Sequence, residues 1–431
     1  MANLQSSPVA DRARRRIALR LLPYLFFLYI IAFLDRTNIS SAALEMPREL
    51  GFSDNVIGIG SGIFFIGYFL LEIPGAVIVE RWSARRWIAR IMVTWGLVTI
   101  WIAFIHTPRQ FYIVRFLLGA AEAGFFPGII VYLTHWFTPQ DRAKAMGTFM
   151  TAIPISQIIG APIAGWLLGE RWHALSGWRW LFILEGIPAI AFGIVTYFYL
   201  TDRPHEAHWL AKDEQNWIAN ELEAEKQQKK FAPSVSFFQV ITRPEILALI
   251  FIYFVQVTAL YSFVFWLPTI VKRLSGLSNF KVLSIAALPW MFAYITMQLN
   301  GWHSDRTDER RLHTAMPLFL AGAGLVPLVF LNLDEISVLA LLIFVVGFAM
   351  AFLPCFWPMP PALLSGSTAA ATIGLINSIG LLGGFAGPAL MGYLSGQTHS
   401  FKSSFAVMMV ALIVAGILTL TLRPRPRESH I

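Results

Sequence analysis

The sequence predicts an all-α membrane protein of twelve transmembrane helices arranged as two six-helix bundles, and three observations carry that prediction. Hydrophobic residues make up 56% of the 431 positions and charged residues only 13%, with a mean hydropathy of +0.62, whereas ordinary soluble domains carry about 25% charged residues. Twelve apolar segments approach the roughly 20 residues that a helix needs to span a bilayer. A charged loop motif also recurs: Arg81, Arg85 and Arg86 in the stretch Glu80 to Arg86 each lie 225 positions before Arg306, Arg310 and Arg311 in the stretch Asp305 to Arg311. Ala161-Pro162 with Gly165-Trp166 answers Gly387-Pro388 with Gly392-Tyr393 at nearly the same offset, which argues for two repeated halves.

The chain opens with Arg12, Arg14, Arg15, Arg16 and Arg20 ahead of an apolar run. That run is too long for a signal peptide, contains Asp35-Arg36 and lacks a small-residue cleavage site, so it reads as a retained first helix. The first six spans centre on Leu21 to Ile39, Val56 to Val79, Trp87 to Ile105, Phe111 to Phe137, Ala145 to Leu168 and Trp180 to Leu200, giving a bundle over residues 1–200. Residues 201–245 form a polar linker. In it Trp209, Leu210, Trp217, Ile218 and Leu222 recur at helical spacing among charges, which predicts an amphipathic helix against the cytoplasmic face. The second bundle, residues 246–431, has spans at Ile246 to Leu267, Val282 to Trp302, Met316 to Leu331, Val338 to Pro361, Ile373 to Ser395 and Phe401 to Leu422. With the N-terminus inside, 23 of the 33 Lys and Arg fall on the cytoplasmic side and 8 outside. This asymmetry predicts a multi-pass protein of the plasma (inner) membrane with both termini cytoplasmic.

Composition also excludes function classes. A net charge of +8 could point to nucleic acid, but the basic residues are spread through short loops and form no single basic face. The lone Cys355 allows no internal disulfide, and His106, His135 and His303 have no metal-ligand spacing. No phosphate loop, nucleophile triad or nucleic-acid module is present. The chain therefore reads as neither an enzyme nor a metal or cofactor protein, and as a protein of the lipid bilayer.

Chemistry concentrates in ionisable residues within apolar segments, each costing roughly 2.5–3.5 kcal/mol at a helix centre and so marking function by default. Arg115 and Glu122, seven residues apart, return to one helix face with Gly119 between them and Phe126 one turn beyond. Asp35-Arg36 forms a second charged pair. An anion entering a low-dielectric cavity needs a fixed cation, and the planar fork of arginine grips a carboxylate through two hydrogen bonds. Arg36 is the first choice for that role; Arg115 either joins it or holds Glu122. Desolvation disfavours ionised carboxylates while a neighbouring arginine favours them, a balance that suits Asp35 and Glu122 to carrying protons. Tyr68 and Glu72 share a helix face, Phe126 and Trp357 offer aromatic walls, and the proline-flanked Phe356-Trp357 stretch suits a cavity-lining or gating segment. Asn377 is a buried amide suited to a substrate hydroxyl or to an interhelical hydrogen bond. The repeated loop residues Glu80, Arg81, Arg85, Arg86, Asp305, Arg306, Arg310 and Arg311 sit where basic groups can pair with acids and helix ends when the cytoplasmic side closes.

Six plus six helices in repeated halves resembles the major facilitator superfamily. Asp35-Arg36-Thr37-Asn38-Ile39 is similar to the Asp-Arg-x-Asn-Ile signature of its anion:cation symporter family. Arg115, Glu122-Ala123-Gly124 and Phe126-Pro127-Gly128 are similar to that family's fourth helix. Phe64-Phe65-x-Gly67-Tyr68-Phe69, Asp305-Arg306-Thr307 and Asn377-Ser378-x-Gly380 look most like the tartrate and hydroxyphenylacetate branch; Ser40-Ser41 departs from the glycine that many members carry there. The resemblance implies two bundles rocking about a midplane site, Tyr68 on the cavity wall, and proton-coupled uptake of a small organic carboxylate. A drug or metabolite antiporter on the same fold, or a transporter-like receptor, are the alternatives.

Overall fold

The structure is a computed structural model that describes residues 8–170, 172, 174–230, 242–360 and 368–422. The first half comprises α1 (Pro8–Ala42), the short α2 (Met46–Leu50), α3 (Asp54–Arg81), α4 (Ala84–Ile102), α5 (Pro108–Glu122), α6 (Phe125–Thr134), α7 (Pro139–Met150), α8 (Ala152–Leu168) and α9 (Gly177–Tyr199). A connecting helix, α10 (Lys212–Lys230), leads to the second half: α11 (Pro244–Ser275), α12 (Asn279–Thr307), α13 (Arg311–Phe330), α14 (Glu335–Ala351), α15 (Leu353–Phe356), α16 (Thr368–Leu381), α17 (Gly383–Thr398) and α18 (Lys402–Thr421). Among the described residues eleven helical stretches are long and apolar enough to cross a membrane. The remaining predicted span is α4, whose N-terminal turns carry Arg85, Arg86 and Arg90. It packs extensively against α9 within the bundle.

Several spans are broken where a single helix was expected. The fourth consists of α5 and α6, separated at Ala123-Gly124, where Gly124 takes φ +86°. A side chain is strained at that angle, and a Cβ there would also stand 3.1 Å from the Cα of Gly75. The chain therefore turns immediately after Glu122 and frees its side chain from the face shared with Arg115. The fifth span divides at Thr151, the tenth at Phe352 and the eleventh at Leu382. Pro361, the expected end of the tenth span, lies outside the described residues.

The basic N-terminal segment is helical, so α1 starts well before the expected Leu21. Its arginines hold the connecting helix: Arg12 pairs with Asp213 at 2.8 Å and Arg16 with the buried Glu214 at 2.9 Å. Arg14 lies over the Trp217 ring, and Arg20 over Tyr199 and Trp209. Arg142 grips both oxygens of Glu225 at 3.0 and 2.9 Å, and Leu210 and Ile218 are buried. The amphipathic helix is thus fastened to the first half.

The halves meet where α3 runs along α16 and α17 and where α8 packs on α12. Small residues permit this approach, as is usual where helices associate in lipid: a Cβ on Gly58 would fall 2.5 Å from the carbonyl oxygen of Pro388 and 3.1 Å from Gly392 Cα. At the end opposite the termini, Arg273 donates to Asp54 at 2.5 Å, Ser395 donates to Asp54 at 2.9 Å, and Asn279 donates to Glu45 at 2.7 Å. These bonds join the two halves. Among the described residues, the ion pairs at the termini end stay within the first half and its connecting helix, or within the second half. Gly58→Val is expected to hold the halves apart at the closed end, because the obstructing atoms are backbone. Transport should fall at least about tenfold while membrane insertion and folding persist; reconstituted uptake measured beside thermal unfolding checks this.

Candidate substrate and coupling site

A cavity of about 100 Å³ lies between the halves. Tyr29, Arg36, Tyr68 and Phe126 line it from the first half, and Tyr253, Gln256, Tyr261, Trp357 and Asn377 from the second. Five of the six residues expected to touch substrate, Arg36, Tyr68, Phe126, Trp357 and Asn377, are therefore brought together. The sixth, Arg115, is placed elsewhere.

Arg36 is 7% exposed and donates through both Nε and Nη2 to Oε1 of Glu122, itself 1% exposed. This interhelix ion pair crosses from α1 to the last residue of α5. Glu122 Oε2 is buried without a hydrogen-bond partner. The guanidinium also faces the rings of Tyr68 at 5.2 Å and Phe64 at 5.5 Å, so its flat sides are shielded from other occupants. An ion pair taken out of water is held by partner attraction against a large desolvation cost, so losing either member is far more disruptive than at a surface.

The expected alternative, Arg115 holding Glu122, is corrected by the geometry. Arg115 is fully buried behind Phe64, whose ring lies 5.1 Å from its Cζ, and it donates to the carbonyls of Gly60 at 3.1 Å and Ser61 at 3.2 Å. It does not line the cavity. Its cation is close to α3 because α3 and α5 cross tightly; a Cβ on Gly119 would lie only 1.8 Å from Phe64 O. Asp35, 1% exposed, projects from α1 away from the cavity and accepts from Thr99 at 2.6 Å and Asn38 at 3.1 Å. The two candidate proton carriers thus occupy different surroundings, one bound to the cavity cation and one to neutral donors.

One turn along α3 from Tyr68, Glu72 reaches the second half. Its two oxygens accept from Asn377 and from Ser378, each at 2.8 Å, and Tyr253 donates to Asn377 at 3.4 Å. Asn377 therefore both lines the cavity and bridges the halves. Tyr253 in turn stacks on Phe356 and meets Trp357 edge-on. Sequence reasoning missed Tyr29, Tyr253, Tyr261 and Gln256; for Gln256 the signal was present, an amide alone in an apolar span, by the same logic that singled out Asn377.

Among the described residues, the loop motif fastens each half to itself, and none of its bonds ties the halves to one another. In the first copy, Ser83 donates to Asp202 at 2.6 Å and the Arg85 backbone donates to the same carboxylate at 2.9 Å. Arg86 is exposed, and the side chains of Glu80 and Arg81 lie outside the described residues. In the second copy Arg310 pairs with Asp305 and donates to Ser304, Arg306 covers Trp302, and Arg311 donates to the carbonyl of Leu422 at 3.3 Å. Both copies reach the end of the last helix of their own half, at Asp202 and Leu422.

The repeated halves, the inter-bundle cavity and the intramembrane ion pair coincide with a family profile: that described as Major Facilitator Superfamily matches residues 25–388. The chain belongs to the Major Facilitator Superfamily. It is 44% identical over 425 residues to an Agrobacterium vitis protein named as a candidate tartrate transporter, covering 98% of each chain. It is 36% identical over 411 residues to the quinolone resistance transporter of Acinetobacter baumannii, covering 94% of this chain and 93% of that one. Among solved structures, a bacterial homologue of the human lysosomal transporter Spinster shares the fold at a TM-score of 0.75, with 17% identity over 96% of this chain and 97% of the other. This major facilitator superfamily chain is a multi-pass membrane transporter of small molecules and not an enzyme.

Proposed function

We propose that the chain is a secondary active transporter that takes up a small organic carboxylate together with protons by alternating access. In this reading it works as a monomer in the inner membrane, with cytoplasmic termini and no cofactor. The observation that carries the reading is the sharing of one guanidinium. Arg36 is the cation on the cavity wall, and Glu122 occupies its fork. A substrate carboxylate and ionised Glu122 compete for the same donors, and protonation of Glu122 releases them. Binding of the anion and loading of the proton are thereby favoured together, which is the requirement of symport. The name of the 44% identical relative agrees with an anionic substrate.

Uptake into proteoliposomes under an inward proton gradient tests the reading, over a panel of tartrate, aldonates, hexuronates, nicotinate and hydroxyphenylacetate. Proton-driven accumulation of one of these is the expected result; accumulation of none, with outward movement of quinolones, would instead support the exporter reading that the Acinetobacter relative's name favours. Bound ligand that never accumulates would indicate a receptor. The electrical behaviour follows from the two acids. If Asp35 and Glu122 both load, a monocarboxylate enters with two protons and one net positive charge, so an inside-negative potential assists by about 2.3 kcal/mol per 100 mV. A potassium-valinomycin potential should then accelerate monocarboxylate uptake at fixed pH gradient, and Asp35→Asn should remove that response.

A further inference from the structure

Gln256 lies in the middle of α11, fully buried, on the wall of the central cavity. Its Nε2 donates to the carbonyl of Ala349 at 2.9 Å, and that bond fixes the orientation of the amide. The other end, Oε1, is buried without a hydrogen-bond partner. A buried acceptor left unpaired costs about 1–3 kcal/mol, and native interiors rarely keep one without reason. The other amide on the cavity wall differs: Asn377 already donates to Glu72 across the halves.

We infer that Gln256 is a specificity-determining residue whose Oε1 accepts a hydrogen bond from a substrate hydroxyl, so that the site selects hydroxylated carboxylates over their deoxy analogues. The inference rests on the proposed function, in which Arg36 of the opposite half anchors the carboxylate. The pair would then read a molecule from both bundles, anion on one and hydroxyl on the other, and a ligand with both groups would draw the halves together. A site built to bond a hydroxyl rejects the analogue lacking it far more strongly than an apolar wall does, because its own polar atom stays unpaired.

The test compares matched ligands on the full-length reconstituted protein: tartrate against succinate, and mandelate against phenylacetate. Competition for uptake and ligand-induced thermal shift are both read. In the wild type the hydroxylated member of the recognised pair should bind at least about tenfold more tightly. Gln256→Met, which keeps volume and removes the acceptor, should erase that preference by weakening the hydroxylated ligand while leaving the deoxy ligand within about twofold. Equal binding of the two members by the wild type overturns the inference whether or not the variant folds, as does binding of none of the four. Equal loss of both members in a folded Gln256→Met also overturns it. If carboxylates bind in an Arg36-dependent manner without hydroxyl preference, only this inference fails; if Arg36→Ala leaves carboxylate binding intact, the proposed function itself fails.

Discussion

Arg36→Lys is expected to reduce carboxylate binding at least about 100-fold, with uptake falling to background. Lysine keeps the charge but presents a point donor in place of a planar fork, and two charge-assisted hydrogen bonds at about 1.5–3 kcal/mol each correspond to a loss of that order. Arg36→Ala should do the same and should also destabilise the protein, since Glu122 would remain buried with no partner for its charge. Removing one member of such a pair costs about 3–5 kcal/mol. Adding Glu122→Gln to Arg36→Ala is therefore expected to recover thermal stability without recovering binding. Wild-type affinity in Arg36→Lys, measured by thermal shift and by uptake, would remove Arg36 from the substrate site.

Glu122→Gln alone is expected to separate binding from coupling. The amide cannot take up and release a proton, and it no longer holds Arg36 with a full charge. Exchange of labelled for unlabelled substrate across the membrane should persist, while accumulation driven by a pH gradient should disappear. Substrate affinity should also lose its pH dependence, because the competitor for the guanidinium no longer titrates. A Glu122→Gln protein that still concentrates substrate against its gradient would place the proton elsewhere, with Asp35 as the next residue to test.

Hydropathy and length were enough to locate the spans, because a bilayer imposes a fixed thickness on any helix that crosses it. The candidate residues for chemistry were equally legible, since an arginine or carboxylate in such a span is too costly to be incidental. Their pairing was not. Periodicity along one helix reports which side chains share a face, and it put Glu122 with Arg115; partners are chosen by the neighbouring helices. The left-handed Gly124 ends α5 at Glu122 and turns the acid toward α1, while the close crossing at Gly119 brings the carbonyls of α3 to Arg115. The connecting helix shows the same limit. The apolar spacing located the helix but named no partners for its acids: Asp213 and Glu214 meet Arg12 and Arg16, about 200 residues away, and Glu225 meets Arg142 on α7. Asp202, the anchor of the first loop motif, carried no signal of its own among the many charges of the linker.

The distribution of polar bonds between the two ends of the molecule has a consequence for its response to salt. On the face opposite the termini, opening the cavity must part Asp54 from Arg273 and Ser395, and Glu45 from Asn279. The Asp54-Arg273 pair is partly solvent-exposed, so ions on that face screen it and lower the work of opening. On the termini face, among the described residues, Ser83 and Arg85 with Asp202, and Arg310 with Asp305, each bond within one half. Ions at that face screen no pair that joins the halves among the described residues. Salt on the face opposite the termini is therefore expected to loosen the contacts that hold the halves together there, while salt on the termini face meets no such contact among the described residues.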